Sequence, residues 1–326
     1  MTNAGAEWLS QYATLRAGAA WFDLHGWSQL ELQGADRAKF LHNLCSNDIK
    51  GLAPGAGCEA FLLNVQGKIL FHVLVFSGPD ALVLFTAPGH AERLLAHLDR
   101  YLIREQVILH DRTSEWASLL IAGPRASEVA AHCAAVAVPT ALYGSVETLV
   151  AGRPTWLRRV EITSTGDVLV SCRAEDFDEV SQAVAAHGAS VGSEAIFDVA
   201  RIETGFPRYG QDITEKNLPQ EVGRDERAIH FNKGCYLGQE TVARIDALGH
   251  VNWKLCVLQF TGTQIPAINL DLLYADKAVG HVTSAVYSPR LEAPIALAYL
   301  RREQSSPGTQ LKSLAGPVEV IRLPIG

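Results

Sequence analysis

Between residues 21 and 34 apolar and polar positions alternate (Trp21, Leu24, Trp27, Leu30, Leu32) as far as Gly34, which predicts a short strand pair before a turn. From Asp36 to Leu44 the period lengthens: Phe40, Leu41 and Leu44 fall at helical spacing, and Ser46, Asn47 and Asp48 end the helix near Cys45. Residues 59–85 read as two or three strands, broken at Asn64, Gln66 and Gly67 and again at Gly78 and Pro79, as antiparallel hairpins would be. Leu94, Leu95, Leu98 and Leu102 then share one face of a helix over 89–103, a pattern that core packing alone explains.

A second round follows, with strands at 116–121, 157–162 and 168–172 and helices at 124–137 and 176–187. The order of elements predicts an α+β architecture built from a duplicated unit of antiparallel sheet plus helices, although no fixed-period repeat is visible. Beyond residue 249 only short strand-like runs remain (254–260, 278–287, 295–300), set off by Gly, Pro and Asp, so a small C-terminal β-barrel is expected. The expected divisions are therefore 1–110, 111–249 and 250–326, with the last boundary near Leu248 to Val251.

The bulk properties narrow the class. With 326 residues, 48% hydrophobic and 19% charged, the chain can bury more than one core. A net charge of -7 without clustered Lys and Arg argues against direct nucleic-acid binding. The longest apolar runs are strand-sized, short of the roughly 20 residues that cross a bilayer, so no membrane partner is expected. Met1 to Gln11 has no basic stretch followed by an apolar one, so a cytoplasmic location is expected. Six scattered cysteines (Cys45, Cys58, Cys133, Cys172, Cys235, Cys256) have no metal-ligand spacing; free thiols and no metal site are expected.

One stretch carries candidate chemistry. In Lys233-Gly234-Cys235-Tyr236-Leu237-Gly238-Gln239-Glu240 a thiol sits between glycines, with a cation two residues before it and a helix expected to start near Gln239. Both neighbours would favour the thiolate and make Cys235 a candidate nucleophile assisted by Lys233. The competing reading is a small buried hydrophobe. Further upstream, Arg201 and Glu203 stand two apart; on a strand or extended loop they would share a face, as an ion pair or as two arms of a polar pocket. Gly205 and Gly210 suit positive φ or close approach of a ligand.

The run from Lys233 to Glu240, continued by Thr241-Val242-Ala243-Arg244, resembles the signature of the YgfZ family, relatives of the aminomethyltransferase T-protein of glycine cleavage. Residues 40–48 (FLHNLCSND), 63–68 (LNVQGK), 200–212 (ARIETGFPRYGQD) and 280–289 (GHVTSAVYSP) resemble other parts of that superfamily, so the likeness spans nearly the whole chain. It implies a folate-binding region followed by a barrel, with tetrahydrofolate or a one-carbon derivative as cofactor and Asn64, Asp167, Arg201, Glu203 and Tyr209 as candidate folate contacts. It also implies a functional loop made of Gly234, Tyr236, Gly238, Gln239 and Glu240 around Cys235 and Lys233.

Two departures matter. Where T-proteins carry two adjacent aspartates, one of them essential to aminomethyl transfer, this chain has Phe71 and His72, and a neutral imidazole supplies no fixed negative charge. The position of a folate-tail arginine falls on Phe197. Glycine cleavage is therefore not expected. The resemblance implies instead a folate-binding accessory factor for assembly or repair of iron–sulfur clusters in client proteins, with effects on tRNA modification. A folate-dependent one-carbon transferase or demethylase acting on an unknown amine is the alternative, and a non-catalytic protein-binding module is a third reading.

Overall fold

The computed structural model describes residues 3–164 and 166–323. Two units, each of five strands and two helices, share one winding order. In the first, strand Ser28–Gln33 leads to helix Arg37–His42, then to strands Gly57–Leu63, Ile69–Ser77 and Ala81–Thr86, helix Ala91–Asp99 and strand Ile108–Asp111. The second repeats it with strand Trp116–Ala122, helix Ala126–Ala134, strands Ser145–Val150, Arg153–Arg159 and Val168–Arg173, helix Phe177–Ala186 and strand Ser190–Val191. In each sheet the three consecutive strands run side by side, the first strand of the unit returns beside the third, and the last lies beyond it. The duplication expected from element order is thus written in the strand connectivity.

The second sheet has one addition. Strand Ala20–Asp23 lies between Trp116–Ala122 and Ser190–Val191. Residues 20–23 and 28–33 therefore do not form the pair that their alternation suggested: each joins a different sheet. Period-two patterning marks a strand but says nothing about its partner.

Alternation does settle which way each side chain faces. Leu82 and Leu84 pack with Phe40, Leu94 and Leu98 on the helix-covered side of the first sheet, whereas Phe85, Leu74 and Phe76 point to the other side. In the second sheet Leu119 and Ile121 meet Val129 and Val180 of its helices, and Leu120 and Ala122 point inward. The two inward faces pack on each other, giving helix, sheet, sheet and helix in layers. Helix Asn3–Ala17, which the sequence patterning did not reveal, seals one edge of this interface with Tyr12 and Leu15.

Six strands from Trp253–Phe260 to Gly316–Ile321 close into a barrel with its own core. Helix Gln239–Leu248 ends at Gly249, just ahead of it. The barrel is fastened to the rest by helix Glu194–Glu203. This segment is helical, not extended, because Ile196, Val199, Ala200 and Ile202 bury one helical face. Arg201 and Glu203 consequently point different ways and form no ion pair with each other. Arg201, 1% exposed, donates to Asp198 (2.6 Å), Asp212 (2.8 Å) and Ser284 of the barrel (3.0 Å). Glu203 accepts from Tyr12 (2.8 Å) and from Ser288 of the barrel (2.6 Å).

Arg201→Met would leave the Asp212 carboxylate buried without its cation. A loss of about 3–5 kcal/mol is expected in urea unfolding, and a loss below about 1 kcal/mol would show that this pair does not fasten the barrel.

Candidate functional site

The segment from Asp225 to Gly238 lies along the turn that follows helix Arg37–His42. Asn47 donates through Nδ2 to the Arg227 carbonyl (2.7 Å), and the Ser46 hydroxyl donates to the Ala228 carbonyl. The His230 amide donates to the Ser46 carbonyl (3.0 Å) and the Leu237 amide to the Asn43 carbonyl (2.9 Å). Between these ties Lys233 is buried, and its ammonium donates to the carbonyls of His42 (2.6 Å), Cys45 (2.8 Å) and Asn47 (2.7 Å). Burial lowers its pKa, and the Tyr236 ring lies 4.8 Å from Nζ. With all three donors spent on carbonyls, Lys233 acts as a rivet between two chain segments.

The end of the loop is fixed by backbone contact. Gly67 and Gly238 both have positive φ (76° and 80°) and face each other: a Cβ on Gly238 would lie 2.5 Å from the Asn64 carbonyl oxygen, and one on Gly67 2.6 Å from Thr241 Cβ. Only glycines let the LNVQGK turn and the start of helix Gln239–Leu248 come this close. Between rivet and glycine contact, Cys235 is exposed to solvent, which removes the buried-hydrophobe reading. Gly234 is open, Gln239 is half-buried and begins the helix, and Glu240 is exposed.

Beneath this segment lies a buried carboxylate that motif reading did not single out. Glu59 is fully buried and accepts from Arg224 through both its oxygens, from Tyr143 (2.6 Å), and pairs with His72 Nε2 (2.7 Å). Burial alone would raise its pKa, but Arg224 and His72 overcome that and hold the carboxyl well below the usual range. His72 therefore stands beside a fixed negative charge, supplied by the neighbouring strand instead of its own turn. Phe71 points to the opposite face, into the helix-side core. The hollow that His72 helps to line, with Trp27, Phe206 and Tyr209, is only about 20 Å³, room for about one water.

The candidate folate contacts do not converge on one pocket. The Asn64 side chain accepts the amides of Gln66 and Lys68 within its own turn. Asp167 is fully buried and accepts from the amides of Ile162, Thr163 and Ser164, with burial raising it to about 6; Thr165 lies outside the described residues. Tyr209 donates to the Leu70 carbonyl and accepts from Arg93. Arg201 and Glu203 serve the barrel contact.

A different set of residues suits a reduced folate better. Gly223 to Arg227 line a cleft of about 260 Å³. Asp225 Oδ1 is buried there without a partner, and burial raises that carboxyl to about 6. Arg224, anchored by Glu59, and Arg227, paired with Glu161, stand on the same short segment. An acid with a spare acceptor, on a segment that also carries cations, is what a donor-edged ring with an anionic tail requires. The signal in the sequence was the run Arg224-Asp225-Glu226-Arg227, which reads locally as ordinary surface charge.

Two stacked sheet units followed by a closed six-stranded barrel make up the glycine-cleavage-type architecture. Residues 3–233 match the GCVT N-terminal domain and residues 254–323 the glycine cleavage T-protein C-terminal barrel domain, and the chain belongs to this family. Tetrahydrofolate is the cofactor of the family. The aminomethyltransferase of Frankia alni is 29% identical over 98% of this chain and 89% of its own length, and that of Rippkaea orientalis 26% identical over 93% and 84%. The glycine cleavage system aminomethyltransferase T from Bartonella henselae superposes with a TM-score of 0.87 over 97% of this chain and 88% of that one; at 19% identity the likeness is one of fold. No helix among the described residues is long and apolar enough to cross a membrane, and no cluster of His, Cys, Asp and Glu among them could hold a metal.

Titration of the native protein with a thiol reagent at pH 8 should show one fast cysteine, lost in Cys235→Ala. Cys133 and Cys256 should lag, because burial pushes them up to about 11 and about 12. Two or more fast thiols would contradict this arrangement.

Proposed function

We propose that the protein is a tetrahydrofolate-dependent one-carbon-handling member of this family whose ligand enters at Gly223–Arg227. The observation that carries the reading is the unpartnered carboxylate oxygen of Asp225 on a segment that lines a cleft. Asp225 would accept the donor edge of the pterin, and Arg227, whose guanidinium is more exposed than that of Arg224, would face its anionic portion. Tetrahydrofolate, when bound, supplies the nitrogen atoms that carry the one-carbon unit. Glu59 holds Arg224 in place, and His72, hydrogen-bonded to Glu59, is the group positioned to take or give a proton once the small hollow beside it widens. With Phe71 and His72 where an aspartate pair would stand, an amine other than the glycine-derived one is the substrate class this reading favours.

The exposed thiol favours a second reading. Cys235 is held at the surface by two glycines and a buried lysine, an arrangement that costs the chain buried packing and contributes nothing to its core. In a YgfZ-like accessory factor for iron–sulfur client proteins, this loop is the contact point, and folate binding accompanies it.

Adding tetrahydrofolate should raise the melting temperature, and Asp225→Asn should remove most of that rise. Without ligand the carboxyl sits at about 6 in the folded protein, above about 3.9 when unfolded. Wild type should therefore lose stability as the pH climbs from about 4 through 6, and Asp225→Asn should lose less, keeping only the share that Asp167 contributes over the same range. A folate-induced shift that is identical in wild type and variant would remove Asp225 from the site.

The two readings separate in cells and in vitro. Formation of 5,10-methylenetetrahydrofolate from a methylamine, unchanged in Cys235→Ala, supports the transferase. Failure of a Cys235→Ala gene to restore iron–sulfur enzyme activity and tRNA thiomethylation in a deletion strain supports the accessory role.

A further inference from the structure

We propose that the cleft between the two sheets, remote in sequence from the Cys235 loop and from Gly223–Arg227, is a binding site for a small planar aromatic carboxylate. The proposal starts from Arg158. It is 3% exposed, and among the described residues it has no carboxylate partner. Its one hydrogen bond runs from Nη1 to the Ser171 hydroxyl (2.8 Å), and its Nε is buried with no acceptor. Burial pulls its pKa down to about 9, which still leaves a cation at neutral pH. A buried charge without a counter-ion is costly unless something else supplies one.

The guanidinium is nonetheless held firmly. Ser171 is hydrogen-bonded to Ser118 (2.8 Å), which accepts from Gln29 Nε2 (3.3 Å), so a polar rail crosses the sheet interface to Arg158. Arg158 also lies over the Phe76 ring (4.7 Å) and near Trp156 (5.7 Å). It lines a cleft of about 310 Å³, to which the second sheet also contributes Trp116 and Trp156. Glu31, on the first sheet, also lines the cleft but is already taken by Arg112 (3.1 Å), and Glu147 and Asp80 line it without forming an ion pair with Arg158.

These features select the ligand. A flat fork of N–H donors matches a carboxylate, which it can grip bidentately. An indole-lined face matches an aromatic body, and a volume at the low end of ligand pockets admits one or two fused rings. No lining residue of this cleft belongs to the Gly223–Arg227 site, so the two ligands would not compete for the same side chains.

The probe is 2-naphthoate, with 2-naphthamide as the uncharged control, followed by calorimetry and by quenching of tryptophan fluorescence. Naphthoate should bind, and the amide at least about tenfold more weakly. Arg158→Met should abolish binding without lowering the melting temperature, because the charge it removes has no counter-ion to strand and Ser171 keeps its bond to Ser118. Ser145 sits opposite Arg158 in the strand register, so Ser145→Phe should fill the cleft and block binding by a second route if Arg158→Met fails to fold. Equal binding of acid and amide, or undiminished binding in the variants, would overturn the proposal.

Discussion

The carboxylate of Glu59 is the interaction on which the interior of this protein turns. It is wholly buried, and a lone charge there would not be tolerated. Three partners from three distant segments make it tolerable: His72 on the adjacent strand, Tyr143 from the second unit and Arg224 from the segment that leads to the cysteine loop. Each partner in turn takes its position from Glu59. Removing the acid would strand a guanidinium and free Tyr143 and His72 together, so the four side chains behave as one polar unit within an apolar interface.

That unit links fold to site. Arg224 is fixed from below by Glu59, and the chain that follows it is fixed by backbone ties to the turn at residues 43–47. Asp225, with one oxygen left over, lies between these two anchors, as does the exposed thiol further on. A cleft built this way is organised before any ligand arrives, which lowers the ordering cost of binding. The departure from an aspartate pair at Phe71 and His72 changes its character: negative charge comes to the imidazole from a neighbouring strand, already neutralised by an arginine.

The duplicated sheets explain where clefts can form. Two units with the same winding stack through their inner faces, and the interface is apolar where Leu74, Phe85, Leu120 and Phe197 meet. Toward one edge it becomes polar, from Gln29 through Ser118 and Ser171 to Arg158. Hydrogen bonds along that edge replace side-chain packing, and the gap beside Arg158 stays open.

Local chemistry in the sequence determined much of this. Alternation and helical spacing marked most of the strands and helices, the two glycines and the lysine around Cys235 marked the loop, and the texture beyond residue 249 marked the barrel. Partners were not written there. The strand at 20–23 crosses to the second sheet, and Arg201 with Glu203 turned out to ride a helix and to serve the barrel. Glu59 looks like one acid in an apolar strand, and Asp225 like one charge in a surface run. Periodicity reports which face of an element a residue occupies and propensity reports its backbone, but both are local. Whether a charge ends beside an arginine, a carbonyl cage or an empty cleft depends on contacts between residues far apart in the chain, and those exist only once the sheets, helices and barrel have packed.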